Sequence, residues 1–276
     1  MISVNGATLQ EIETMRITYL SSLPEFQDLY LELQIPYADV VILSHCGTII
    51  GYAIMKGGVM LEFFVKDTFG SDINLHFPEI VKTCNVERIL VQSFDQVLMK
   101  CCSRMNSYHE VGLIYRDFTQ VTILRDPDIS FRLATLQDLS FLQMQEDEVF
   151  EPKDMISTAI EKSEIVLCLS GEMILGCGFI TRIHPKWAYY DVGVWVSPEF
   201  RLHGYATRIL SWLKDTCVNN CWIPVCGCGV ENIGSQRTIE KNGFISNHRL
   251  LSFNVGHHDN LTSRTTRTSS TVSPSE

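Results

Sequence analysis

The sequence predicts an α+β protein that uses one folding unit twice. Three observations carry this. Residues 40–51 (VVILSHCGTIIG) and 165–176 (IVLCLSGEMILG) are each an apolar run, a polar turn and a second apolar run closing on glycine, almost half the chain apart. Short apolar runs bounded by turn residues signal a β-hairpin. Both copies continue into a third apolar run, at 59–65 and 189–196. Both then read strand, helix, strand, at 88–94, 95–105 and 110–116, and again at 223–230, 235–241 and 244–253.

The elements follow in order. The polar turn Arg125-Asp126-Pro127-Asp128 separates the copies, which gives units at 1–126 and 127–256. The second unit opens with a short strand, Phe131-Arg132-Leu133-Ala134-Thr135. Thr135 is placed to cap a helix and Asp138 to favour its dipole. A second helix is expected near 151–162. Residues 257–276 are Ser/Thr-rich, lack apolar periodicity and are expected to be disordered. His257 and His258 in that tail are read as solvated rather than metal-binding.

The 276 residues are 45% hydrophobic and 20% charged, too apolar for a mostly disordered chain. The longest stretch free of Asp, Glu, Lys and Arg, residues 40–55, falls short of the roughly 20 apolar residues of a membrane span. The N-terminus lacks the basic and apolar regions of a signal peptide. A net charge of −10 shows no basic footprint for nucleic acid. Ten scattered cysteines without a leader read as reduced, so a cytoplasmic protein is expected. Cys217, Cys221, Cys226 and Cys228 lack the paired spacing of zinc ribbons, so no metal is expected. An acetylated Cys226 is a chemical possibility, but the sequence sets no base beside it.

Chemistry concentrates in DVGVWVSPEFRLHGYATRIL, residues 191–210. A strand ends at Pro198. Arg201-x-x-Gly204-x-Ala206 follows, then a helix with apolar Ile209, Leu210 and Leu213. A strand, a glycine loop and a helix aim unsatisfied backbone N–H groups at a phosphate, and the helix dipole adds partial positive charge. Gly204 and Ala206 let the backbone approach closely. Arg201, His203 and Arg208 add charge. The Gly-Lys-Ser/Thr and Gly-x-Gly-x-x-Gly loops of other nucleotide sites are missing. A second block, Asn232-x-x-Ser235…Glu240-Lys241-x-Gly243-Phe244, reads as a short helix stopped by glycine.

With both blocks in register, residues 130–255 resemble the GNAT family of N-acetyltransferases. The resemblance implies two tandem acyl-CoA N-acyltransferase units, each a mixed sheet flanked by helices, forming a pseudo-dimer within one chain. It implies acetyl-CoA as co-substrate, a small-molecule or peptide amine as acceptor, and direct transfer. It assigns the acetyl-CoA site to Trp195, Val196, Arg201, Leu202, His203, Gly204, Tyr205, Ala206, Thr207, Asn232 and Ser235. The first half lacks the loop, and Asp67 and Asp72 would repel a pyrophosphate, so it reads as a degenerate copy that does not bind acetyl-CoA.

Acetyl transfer needs a neutral amine, hence a base or water chain, and an acid or stabilised thiolate for the departing sulfur. The resemblance points to Asp191, ten residues before Arg201, as base; its alternative is a structural pair with an arginine such as Arg182. His184, within an aromatic loop with Trp187, Tyr189 and Tyr190, is a second candidate base. The family's usual acid is a tyrosine at the position held here by Ile239. Ser235 could bond the sulfur instead, or cap its helix. Two further readings stay open: an acyl-CoA-binding sensor or docking pseudoenzyme, and an acyltransferase using aminoacyl-tRNA, against which the intact loop speaks.

Overall fold

The computed structural model describes residues 2–69, 73–105, 107–124 and 126–255. The first half contains β1 (Ile2–Ala7), α1 (Leu9–Ser22), α2 (Leu29–Glu32), β2 (Asp39–His45), β3 (Thr48–Lys56), β4 (Val59–Val65), α3 (Ile73–Thr83), β5 (Arg88–Gln92), α4 (Gln96–Cys102), β6 (Tyr108–Tyr115) and β7 (Asp117–Phe118). The second contains β8 (Ser130–Leu133), α5 (Leu139–Gln143), α6 (Met155–Glu161), β9 (Ile165–Ser170), β10 (Met173–Arg182), β11 (Tyr189–Val196), α7 (Tyr205–Asn219), β12 (Ile223–Gly229), α8 (Ile233–Lys241), β13 (Phe244–Ile245) and β14 (His248–Asn254). Both expected hairpins form, and β4 and β11 take the bounds of the third apolar runs. The stretch at 244–253 is broken: β13 pairs with β7, and β14 starts afresh after Ser246 and Asn247. The expected tail lies outside the described residues, as does Asp72.

Among the described residues, one sheet of twelve strands runs β1-β2-β3-β4-β5-β14-β6-β12-β11-β10-β9-β8. The order is a palindrome of the two copies. Its centre holds an exchange the sequence did not announce. β14, the last strand of the second copy, pairs with β5 of the first; β6, the last large strand of the first, pairs with β12 of the second. β6 and β14 also pair with each other. Side chains alternate across each strand, which builds two apolar layers per half. α3 and α4 cover one core and α7 and α8 another on the same sheet face. α1 and α2 lie on the opposite face, and their core reaches across to Ile183, Val225 and Tyr189.

The repeated hairpin glycines now have a cause. A Cβ on Gly51 would run into the Phe64 carbonyl, and one on Gly176 into the Trp195 carbonyl. At the same place in each copy the neighbouring strand presses against bare backbone. No helix among the described residues is long and apolar enough to cross a membrane.

Candidate active site

The site is built where two parallel strands part. β11 and β12 pair through Tyr189–Ile223, Tyr190–Pro224 and Asp191–Val225, and no further pairs follow. Along Val192–Val196 only the β10 edge of β11 is bonded. The other edge presents backbone donors and acceptors to the gap. The side chain of Trp195 anchors this segment in the core under α5 and α6, while Val196 packs beneath α7.

The chain leaves β11 through a short turn, Pro198–Phe200, and reaches α7 through two left-handed residues, Leu202 (φ 67°) and Gly204 (φ 82°). Glycine tolerates that geometry at no steric cost; Leu202 adopts it with its side chain fully in solvent. Gly204 is the N-cap and supplies no side-chain acceptor. The amides of Tyr205, Ala206 and Thr207 find no backbone partner among the described residues. Three orphan donors at the head of a 15-residue helix are the kind of geometry that can seat an anion.

Arg201 departs from expectation. Its Nε donates to the Val196 carbonyl at 3.0 Å and its Nη2 to both Asp147 oxygens at 3.1 Å. Asp147 also accepts from Trp195 Nε1 at 2.7 Å, and that bond, with Arg201, holds its carboxyl below the usual range. A fork-shaped cation beside a carboxylate forms such bonds in preference to facing solvent. Arg201 therefore latches the loop to β11, and the free donors left at the helix head are backbone amides. His203 Nδ1 lies 2.8 Å from the Arg201 carbonyl, and Arg208 donates to the His203 carbonyl at 3.2 Å.

Across the splay, Asp191 shares its face with Val225 and Tyr189. It has no hydrogen-bond or ion-pair partner among the described residues. Arg182 does not pair with it: its Nε donates to the Trp187 carbonyl, and it sits on the other side of β10 from Thr181, the partner of Asp191. Burial, then the charge of Asp28, pushes the Asp191 carboxyl up to about 7, against the opposing pull of Arg116. Asp28 and Arg116 belong to the first half, and nothing in sequence spacing pointed to them.

The remaining candidates scatter. His184 meets Trp187 and Phe26 edge-to-face, at centroid distances of 4.7 and 6.3 Å, at the tip of the β10–β11 hairpin. That is three residues beyond the Asp191 pair, about 10 Å along the strand. Burial and the charge of Arg16 lower its affinity for a proton. It borders a cavity of about 240 Å³ with Glu13, Arg16 and Ile17. A second cavity, about 290 Å³, runs along α7 beside Trp212 and Asp126. Neither lies at the splay. Asn232 caps α8, its Oδ1 accepting from the Ser235 amide at 3.0 Å; the Ser235 hydroxyl has no bond among the described residues. Ile239 is buried in the core beneath α8. Cys217 and Cys226 are buried too, and burial holds the Cys226 thiol well above its ordinary value, so it stays neutral.

The first half has the same splay with different contents. β4 pairs with β5 only at Val59 and Met60. Beyond it, Glu62 is wholly buried and accepts from Tyr52 Oη at 2.5 Å, Arg16 at 3.0 to 3.2 Å and Gln27 at 3.0 Å. Arg16 also bonds Glu32 at 2.7 Å.

A fold doubled in this way, with a parted strand pair and an open helix head, defines an acyltransferase architecture. Residues 8–118 match the family described as "Acetyltransferase (GNAT) domain", and residues 132–244 match "Acetyltransferase (GNAT) family". The chain belongs to the GNAT family and carries two of its domains in tandem. It is similar in fold to an acetyltransferase from the GNAT family of Colwellia psychrerythraea (17% identity, TM-score 0.81, covering 92% of this chain and all of that one). It is similar also to a tandem GNAT protein from the clavulanic acid biosynthesis pathway (10% identity, TM-score 0.58, covering 92% and 98%). A GCN5-related N-acetyltransferase from Sphaerobacter thermophilus shares the fold as well (11%, 0.60, 91% and 94%). No curated protein matches the chain.

Proposed function

We propose that the protein is an acetyl-CoA-dependent N-acetyltransferase acting on a primary amine, with its chemistry in the second GNAT domain. The observation that carries this is a splay with an unpaired β11 edge and three orphan amides on one side and the carboxyl of Asp191, free of hydrogen bonds among the described residues, on the other. The amides of residues 205–207 would hold the pyrophosphate, and the open edge of residues 192–196 would orient the pantetheine. Acetyl-CoA supplies the activated acyl group. Asp191, with a midpoint near neutrality, takes the proton that an ammonium must lose before it can attack. The first domain, with an arginine-filled splay and Asp67 after β4, is proposed not to bind acetyl-CoA.

The buried Ile239 favours a second reading, a sensor that binds acyl-CoA without turnover, because it leaves no hydroxyl at that helix position for the departing sulfur. A screen for CoA release against a panel of amines separates the two. Release with at least one amine is expected; binding without release on any would establish the sensor. Gly204→Glu sets a negative side chain in the anion seat, so calorimetry should show acetyl-CoA binding lost in a folded protein. One site per chain is expected in the parent, and a stoichiometry of two would overturn the inactive first domain.

A further inference from the structure

On the face that carries Asp191, the next positions past the last strand pair are Gly193 and Gly227. Neither fills the gap, so the splay is open on this side. Asp28 closes it from above. Its Oδ2 lies 3.1 Å from where a Gly227 Cβ would stand. Its Oδ1 accepts from the Tyr30 amide at 3.0 Å, capping α2, and its own amide donates to Gln92 Oε1 at 2.7 Å. Arg116 Nη2 approaches Asp28 Oδ2 at 3.4 Å. That arginine is spent: Nε donates to the Phe26 carbonyl at 3.0 Å, and Nη1 to the carbonyls of Tyr115 and Cys226 at 3.1 and 3.4 Å. Phe26, two residues before Asp28, stacks on Tyr189 with centroids 4.9 Å apart. The loop of the first half is thus seated on the acceptor side of the second.

We infer that the first domain completes the acceptor site, with Asp28 and Asp191 forming a two-carboxylate seat for one ammonium group. The inference rests on the proposed function and adds a substrate class to it. Two carboxylates and one arginine leave one net negative charge, which a single ammonium balances. An acceptor bearing a carboxylate beside its amine meets two anions, and the arginine beside Asp28 is already bonded to backbone carbonyls. The site therefore selects amines over the corresponding α-amino acids. Asp28 is a positioning residue: its charge holds the ammonium and sets the ionisation of Asp191. The remaining titratable or charged groups near Asp191 are Tyr189, two residues back on its own face, and Arg116 just past β6; the Cys226 thiol on β12 and the Cys217 thiol on α7 lie across the sheet and are held neutral by burial.

The test follows the Asp191 carboxyl by carbon-13 NMR in the full chain. Removing a neighbouring negative charge makes ionisation easier, so the midpoint should fall by at least half a pH unit in Asp28→Asn, which keeps the cap on α2. n-Butylammonium should perturb the parent resonance and bind at least tenfold more weakly to the variant. Norvaline, the same chain with an α-carboxylate, should perturb neither. An unchanged midpoint, or no response to butylammonium in the parent, overturns the seat, whatever the turnover. Failure to release CoA with any amine would instead sink the proposed function. Where an amine turns over, the variant should raise KM at least tenfold with a smaller change in kcat. Asp28→Ser, which can also cap α2, serves should the asparagine variant fail to fold.

Discussion

Asp191 is a carboxyl kept where a carboxyl is least comfortable, and this makes two predictions with opposite signs. In an unfolded chain an aspartate releases its proton near pH 3.9; here the midpoint is about 7. Between those values the folded state keeps a proton the unfolded state has lost, so stability falls as pH rises through the window. Asp191→Asn removes that titration. Its unfolding free energy should match the parent near pH 4, pull ahead by pH 7 and hold the margin above, on the order of a few kcal/mol at about 1.4 per unit, read by denaturant melts across pH. Turnover should move the other way, falling about 10²–10⁴-fold at pH 7, with the deficit shrinking as alkaline pH supplies neutral amine. A variant that is both slower and less stable at pH 7 would make Asp191 structural. In the sequence this residue was singled out through the family resemblance, by its spacing to Arg201. Asp28, whose charge reaches it, was not singled out, because it comes from a distant segment of chain, in a loop with no motif of its own.

The elements were legible wherever a local rule fixes them. The hairpins could be read because glycine punctuates them, and the structure shows why it must. Gly176→Ala drives a methyl into the Trp195 carbonyl and should cost about 1–3 kcal/mol, the range of overpacking; Gly6→Ala, which meets open space, should shift the melting temperature little. The turn from β11 into α7 was legible as a glycine loop, but the bonds of Arg201 were not, since Asp147 lies in a segment that spacing did not connect to it. Glu62 escaped the sequence reading altogether: a lone glutamate in an apolar strand carries no motif. Removing it would leave Arg16 buried with a single carboxylate partner, so Glu62→Ala should cost about 3–5 kcal/mol, read by denaturant midpoint.

At the scale of the molecule, the family and its duplication could be read from order and motif, while the exchange of β6 and β14 could not. Strand exchange leaves no trace in periodicity, because a strand carries the same alternation whichever sheet it joins. It changes what the halves can do apart. Residues 127–255 expressed alone would lack the β6 neighbour of β12 and expose an unpaired edge, so they should aggregate or dimerise rather than yield a folded monomer. The full chain should unfold in one transition, coincident by fluorescence and circular dichroism. Two separated transitions would show that the exchanged strands do not couple the domains.

The crossed strands also set a timetable. A duplicated chain made from its N-terminus usually completes its first domain while the second is still being synthesised. This one has no such early finish. The partner that covers β5 is β14, the last strand of the sheet to be made, and β6 must wait for both β12 and β14. The leading half therefore stays an unfinished surface, with β5 exposed, until residues 248–254 have emerged, and loss of β14 would undo the half translated first.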